Sequence, residues 1–557
     1  MNRSDTQIRP LSAMAKVFHD KIIGRTTHTA ECAAGQEVSF QVAFKINRNG
    51  YVLKNRKLFV EVGGKLSTAK LSIFKVENVP AYLAAYPHRT DEKYITGSAG
   101  LFPDPLVPIE NGADVKAAMR RWHAVWISLK IPADMASCEE KVTVRLLGSD
   151  GRVVAKTTFT VRVHGVGELG TPLPFTQWFH VDCIADVHKV KIFSEKHWEL
   201  IEKYMRMAAE HGINIILTPV LTPPLDTAIG AERPTVQLVD ITRTESGYSF
   251  DFSKLTRYVE LARSLGIECF EINHMFTQWG ATAAPKVVAT VNGRKKKIFG
   301  WKTDSTGEEY QTFLRALIPA VISHLGGLGV PYKNIYFHVS DEPSPEHLDT
   351  YRAVAAGLKP LIKGCRHIDA LSHLEFYNEG TVDTPVVGID PRVNAFLDAK
   401  VKGMWCYYCC GQSYHVSNRF FAMPSTRTRM MGVQIYKYEF EGFLQWGYNF
   451  YYTELSRRLV DPWKETDAGE AFAAGDAFSV YPLEDDVVPS LRLKVFKTAL
   501  DDIRLLKLAE QKVGRTEVLA AIDRIAGMEL TLNDYPIDEK FFEELYAYIF
   551  SVIDTPV

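Results

Sequence analysis

From Phe175 to Tyr451 the chain repeats one rhythm: a short apolar run rich in β-branched and aromatic residues, then an amphipathic stretch, then another short run. Strands separated by helices pair in parallel, because each crossover must travel back along the sheet before the next strand begins. Eight such runs are predicted as strands, at 175–182, 214–220, 268–274, 335–343, 370–376, 384–389, 404–410 and 443–451. Between the first two, Trp198, Ile201, Met205 and Ala208 recur at helical spacing, with Ser194 as N-cap and Gly212 as the stop. Leu255, Tyr258, Val259 and Ala262 mark a second helix ended by Gly266, and a third is predicted over 308–325. Eight strands in this alternation predict a (β/α)8 TIM-type barrel over 169–488.

The rest of the chain is arranged around that barrel, and the whole is expected to be a multidomain α/β protein. Residues 1–168 are strand-like: Val38–Phe44, Trp122–Leu129, Lys141–Leu147 and Val153–Val163 alternate, with turn signals at Asn49-Gly50 and Ser149-Asp150-Gly151. That pattern predicts a β-sandwich. Its end, Gly165-Val166-Gly167-Glu168-Leu169-Gly170, matches the dinucleotide fingerprint, but Thr171-Pro172-Leu173-Pro174 cannot open the helix that would hold a pyrophosphate. The stretch is a linker, and no cofactor is expected. Residues 489–557 read as amphipathic helices packed on the barrel.

Lys+Arg of 65 against Asp+Glu of 66 gives a net charge of −1, so neither nucleic acid nor an acidic membrane is an expected partner. Arg294-Lys295-Lys296-Lys297 follows an Asn292-Gly293 hairpin turn and reads as a solvated strand edge. Cys406, Cys409 and Cys410 have no second pair at zinc-ligand spacing, so no metal is expected. Met1–Asp5 opens on no apolar run, which predicts a cytoplasmic location and short imported glycans as substrates.

The fourth strand, Ile335-Tyr336-Phe337-His338-Val339-Ser340-Asp341-Glu342-Pro343, carries the chemistry. Alternation puts His338, Ser340 and Glu342 on one face, and Asp341 breaks the apolar character of the other. Ser344 and Pro345 are placed to start a helix, which leaves both acids free at a strand end. Two adjacent carboxyls in a dry pocket cannot both ionise cheaply, so one is pushed towards the protonated form, as glycosidic bond cleavage requires. Asp182, His274, Trp279, Tyr377, Tyr407, Tyr408, Trp446 and Asn449 fall at or beyond other strand ends; Arg233, Trp405 and, as a substrate-binding residue, His338 complete the candidate set. Aromatic rings stack on the apolar faces of a pyranose, and Asp, Asn and His bind its hydroxyls.

Trp178–Cys183, Leu217–Asp226, Phe276–Ala281 and above all His338–Pro343 resemble the catalytic domain of glycoside hydrolase family 123, and the resemblance takes in the sandwich and the closing helix from Ser490. It implies a retaining exo-β-N-acetylgalactosaminidase of substrate-assisted type acting on a small glycan with a terminal N-acetylhexosamine. Glu342 would be the general acid/base. Asp341 would orient the substrate's 2-acetamido group, whose carbonyl oxygen attacks the anomeric carbon to give an oxazolinium ion. A tyrosine holds the acetamide oxygen in such sites, and Tyr408 is the first candidate, with Tyr407 and Tyr377 as rivals. The alternatives are a glycosidase of related fold acting on a β-N-acetylglucosaminide or a non-acetamido sugar, and a non-catalytic carbohydrate-binding barrel.

Overall fold

In the computed structural model, which describes residues 5–47 and 54–554, eight parallel strands close a barrel. They are β1 (Phe175–Gln177), β2 (Ile215–Thr218), β3 (Cys269–Ile272), β4 (Ile335–Phe337), β5 (Arg366–Leu371), β6 (Thr384–Gly388), β7 (Trp405–Tyr407) and β8 (Gly442–Gln445). Each pairs with its sequence neighbours, and β8 closes on β1 through Phe175–Phe443 and Thr176–Leu444. The strands are shorter than the apolar runs that predict them, because polar residues at their ends spend backbone groups on side chains instead of on the ladder. After β4, for example, the N–H groups of Val339 and Ser340 donate to the Asp369 carboxylate.

Around the barrel lie α1 (Val181–Val187), α2 (Glu195–Glu210), α3 (Ser253–Ser264), α4 (Glu308–Gly327), α5 (Leu348–Leu358) and α6 (Ser425–Lys437). Ser194 caps α2 by accepting from the His197 N–H. Two local expectations are corrected. The first strand ends at Gln177, and residues from Val181 turn into α1, which carries Asp182 in its first turn. Ser344 does not cap a helix; its hydroxyl lies 2.8 Å from His347 Nδ1, and a 3-10 turn delays α5 to Leu348. The hairpin of Val287–Val291 and Arg294–Phe299 joins a second one, Asp240–Thr244 with Gly247–Asp251, in a four-stranded sheet whose exposed edge is Arg294–Phe299, as the solvated-edge reading expects. Lys295 and Lys297 there pair with Asp240 and Glu232.

Two five-stranded sheets precede the barrel and face each other across a core that includes Phe40, Val42, Val142, Val144 and Val161. The Phe40 and Phe159 rings stack across it at 3.9 Å. The Asn49-Gly50 turn lies outside the described residues. The outer face of one sheet packs Leu106, Trp122 and Trp126 against the closing helices α7 (Leu491–Val513), α8 (Arg515–Ala526) and α9 (Lys540–Ile553). Arg492 of α7 makes two 2.9 Å bonds to the buried Asp104 carboxylate of that sheet. Among the described residues no helix is long and apolar enough to cross a membrane.

Candidate active site

At the C-terminal end of the barrel strands a cavity of about 260 Å³ is lined by Asp341, Glu342, Tyr407, Asp226, Trp279 and Trp446, among others. In a regular strand Asp341 and Glu342 would point to opposite faces. Here Glu342 has φ of 43°, in the left-handed region, and both acids line the same cavity. Such a conformation for a non-glycine residue costs on the order of 1–3 kcal/mol and persists only where its surroundings hold it. Those surroundings are explicit: Ser340 Oγ donates to Thr277 O at 2.8 Å, and Trp279 N donates to Asp341 O at 3.1 Å.

Burial, then the neighbouring Glu342, pushes the Asp341 carboxyl well above the usual carboxylate range. The Tyr407 hydroxyl donates to Glu342 Oε1. Asp226 is a third carboxyl in the cavity, pushed up to about 6 by burial although its Oδ2 accepts from Leu455 N at 3.0 Å.

Aromatic walls complete the cavity. Trp446, Phe450 and Phe472 form one edge-packed group, with Trp446 Nε1 donating to Asp476 at 2.9 Å. Trp279 is 42% exposed and projects from a turn in which Trp279, Gly280 and Ala281 all have positive φ. A Cβ on Gly280 would sit 2.6 Å from the His347 ring, so only glycine lets this turn dock on the loop that follows the two acids.

His274 and His338, expected to bind substrate, do not line the cavity; both are buried beneath its floor in an ion network. His338 Nε2 is 2.6 Å from Glu271 of β3, and Nδ1 is 3.0 Å from Asp369 of β5. Glu271 also accepts from Thr176 Oγ1 at 2.5 Å and from the cavity-lining Trp178 Nε1 at 2.7 Å. Burial alone would lower His338; its bonds to Asp369 and Glu271 prevail and raise it to about 9. His274 stacks on His338 with ring centres 4.3 Å apart, and burial, followed by that neighbouring cation, holds it neutral. Ligand atoms of His274, His338 and Asp369 lie within 4.8 Å of one another, but both His338 nitrogens are already engaged, so the group is not a metal-binding set.

Of the remaining candidates, Asp182 and Arg233 meet each other instead of the cavity, in a bidentate pair at 2.7 Å beneath Phe450 and Tyr452. The Arg233 guanidinium also reaches His180 Nδ1 at 3.2 Å, and burial holds this cavity-lining histidine down to about 3. Asn449 clamps the His180 backbone from both sides, accepting from its N–H at 2.8 Å and donating to its carbonyl at 3.0 Å. These residues position a wall. Arg233→Met would leave a buried carboxylate unpaired and is expected to cost about 3–5 kcal/mol; calorimetry would show a Tm several degrees lower, partly restored by adding Asp182→Asn.

Three further candidates lie away from the cavity. Tyr408 turns outward and packs on Phe443 and Phe496, because neighbouring residues of an extended chain face opposite ways and Tyr407 takes the inward position. Trp405 lies over Gly442, where a Cβ would come within 2.2 Å of the indole. Tyr377 belongs to a four-residue helix, Glu375–Asn378, because β5 ends at Leu371. Residues that sequence reasoning did not select include Trp178, His180, Asp226, Gln278, Cys409 and Cys410 in the lining, and Glu271 and Asp369 below it. A lone acid inside an apolar run, as in Cys-Phe-Glu-Ile or His-Ile-Asp-Ala-Leu, was the available signal for the last two. A second cavity of about 210 Å³, between the sandwich and the closing helices, contains none of the candidates.

A cavity at this end of a parallel barrel, with paired acids, a tyrosine and aromatic walls, is the arrangement of a glycosidase. The family model for the glycoside hydrolase 123 catalytic domain matches residues 178–509, more than half of the chain. The protein belongs to glycoside hydrolase family 123. Over 99% of its length it superposes on 98% of a family 123 glycoside hydrolase from Clostridium perfringens, at 14% identity and a TM-score of 0.70; that structure is described as revealing details of glycolipid glycan hydrolysis. A family 5 mannosidase from Rhizomucor miehei is more distant, with 10% identity, 62% of this chain and 95% of that one covered, and a TM-score of 0.35. No curated protein sequence matches the chain. This family 123 member is therefore an enzyme, a glycosidase, whose substrate is a glycan.

Proposed function

We propose that the enzyme is a retaining exo-glycosidase that removes terminal β-linked N-acetylgalactosamine through an oxazolinium intermediate. The observation that carries this reading is the entry of Asp341 and Glu342 into one cavity from consecutive positions. A retaining enzyme with a protein nucleophile needs its two carboxyls about 5 Å apart on either side of the sugar. Consecutive residues on one loop suit a different division, in which the nucleophile comes from the substrate.

The 2-acetamido N–H needs an acceptor, and Asp341 can be that acceptor only after giving up its proton. Binding of the acetamide therefore favours passing the proton shared by the pair to Glu342, which then protonates the leaving oxygen. The freed Asp341 carboxylate stabilises positive charge on the acetamide nitrogen as its carbonyl oxygen attacks C1. Glu342 next removes a proton from the water that opens the oxazolinium ring, with net retention. Tyr407 lines the cavity and donates to Glu342, which supports it as the tyrosine that holds the acetamide oxygen. The family 123 relative described with glycolipid glycan hydrolysis supports a glycan as substrate.

Tyr407→Phe is expected to lower kcat/KM by roughly tenfold or more, the scale of a hydrogen bond to a charged group, while Tyr408→Phe stays near wild type. Steady-state assays of both variants on a chromogenic β-N-acetylgalactosaminide check this. A second reading follows from Asp226, whose carboxyl also lines the cavity: with Asp226 as nucleophile or base, the enzyme would act on a sugar without an acetamide. Chromogenic β-GalNAc, β-GlcNAc and β-galactoside substrates, tested on wild type and Asp226→Asn, separate the two. The first reading requires turnover of the β-GalNAc substrate, and turnover of β-galactoside alone overturns it.

A further inference from the structure

We propose that His338 is a positioning residue of this site: a cation clamped between Glu271 and Asp369, it anchors the strand end bearing Asp341 and Glu342 and sets the charge those acids face. The cation follows from geometry. Both ring nitrogens lie within hydrogen-bond distance of carboxylate oxygens, 2.6 Å to Glu271 Oε1 and 3.0 Å to Asp369 Oδ1. A carboxylate accepts and does not donate, so both nitrogens must carry hydrogen.

The anchoring is as direct. The second oxygen of Asp369 accepts from the N–H groups of Val339 at 3.0 Å and Ser340 at 3.4 Å, and from the Tyr351 hydroxyl. Those two amides belong to the residues that lead from β4 into the acid pair. Through Glu271 the same cation is joined to Trp178 in the cavity wall. One imidazolium thus connects β3, β4 and β5 at the depth where the catalytic loop leaves the barrel.

The charge reaching the acids depends on it. Glu271 and Asp369 around a cationic His338 sum to one negative charge; around a neutral residue they would sum to two. His274, packed on His338, is neutral and supplies no replacement, and His367, whose Nε2 is 3.5 Å from the other Asp369 oxygen, stays beside that carboxylate whether or not His338 is present, so the loss of His338 still removes one positive charge. Facing Asp341 are Glu342, Asp369 and Asp226, all acidic, and His338 is the cation among them. Loss of His338 therefore makes it harder for Asp341 to release its proton.

The kinetic part of this inference rests on the proposed mechanism, so the test has a part that needs no turnover. Infrared titration follows the carboxylic C=O band of Asp341, identified by its loss in Asp341→Asn. In His338→Gln the band's midpoint is expected to move to higher pH by about one unit or more. Tyr351→Phe, which leaves the Asp369 charge less neutralised, is expected to move it less in the same direction and carries the test if His338→Gln does not fold. In pH–rate profiles the alkaline limb moves up likewise, and kcat falls at least tenfold with a smaller change in KM. Unmoved midpoints, or activity lost only in proportion to folded protein with the wild-type profile retained, overturn the proposal. A moved midpoint in an enzyme that hydrolyses no N-acetylhexosaminide leaves the positioning role standing and overturns the substrate reading.

Discussion

Glu342→Gln is expected to lose roughly 10²-fold or more of kcat/KM on an aryl β-N-acetylgalactosaminide, the scale of general acid/base catalysis. Glutamine keeps the shape of the side chain and still accepts from Tyr407, but has no proton to give the leaving oxygen. The loss is therefore expected to be smallest for aglycones that depart unaided and to grow with aglycone pKa. Added azide needs no general base and is expected to rescue the variant best on substrates with good leaving groups. Equal losses on good and poor leaving groups, with no rescue, would remove Glu342 from the proton-transfer role.

Asp341→Asn is expected to be at least as damaging, again roughly 10²-fold or more, with a different signature. The amide cannot balance positive charge developing on the acetamide nitrogen, so the loss falls on substrates that carry the acetamide and is insensitive to the leaving group. The pair works with one shared proton, so the wild-type profile of kcat/KM is bell-shaped. It rises as the first proton leaves the pair and falls as the second does. Because burial and Glu342 hold Asp341 well above the usual carboxylate range, the falling limb is expected well above the pH at which an ordinary aspartate ionises. Asp341→Asn removes that limb.

Much of this architecture was legible in the sequence because periodicity is local information. The eight apolar runs became the eight strands, and Ser194, Gly212 and Ser490 bound their helices as their chemistry dictates. The acid pair could be read because two carboxylates interrupt a buried strand without a cap to serve. The inward turn of Tyr407 in place of Tyr408 could not be read, since at a strand end one residue of register decides it. Nor could the pairing of Asp182 with Arg233, which lie 51 positions apart and meet only because β1 gives way to a helix after Gln177. Glu271 and Asp369 escaped for a related reason. Their partner, His338, comes from a third strand, and only barrel closure brings the three together.

The account stands most directly on whether the sugar's own amide is the nucleophile. Inhibition by the thiazoline analogue of N-acetylgalactosamine, a stable mimic of the oxazolinium ion, measures this on wild type and Asp341→Asn. Competitive inhibition is expected, tighter than binding of free N-acetylgalactosamine by about 10²-fold or more in the wild type, and largely lost in Asp341→Asn. An enzyme that turns over its glycoside yet is indifferent to the thiazoline, or that binds it equally well without the Asp341 carboxylate, would contradict the account.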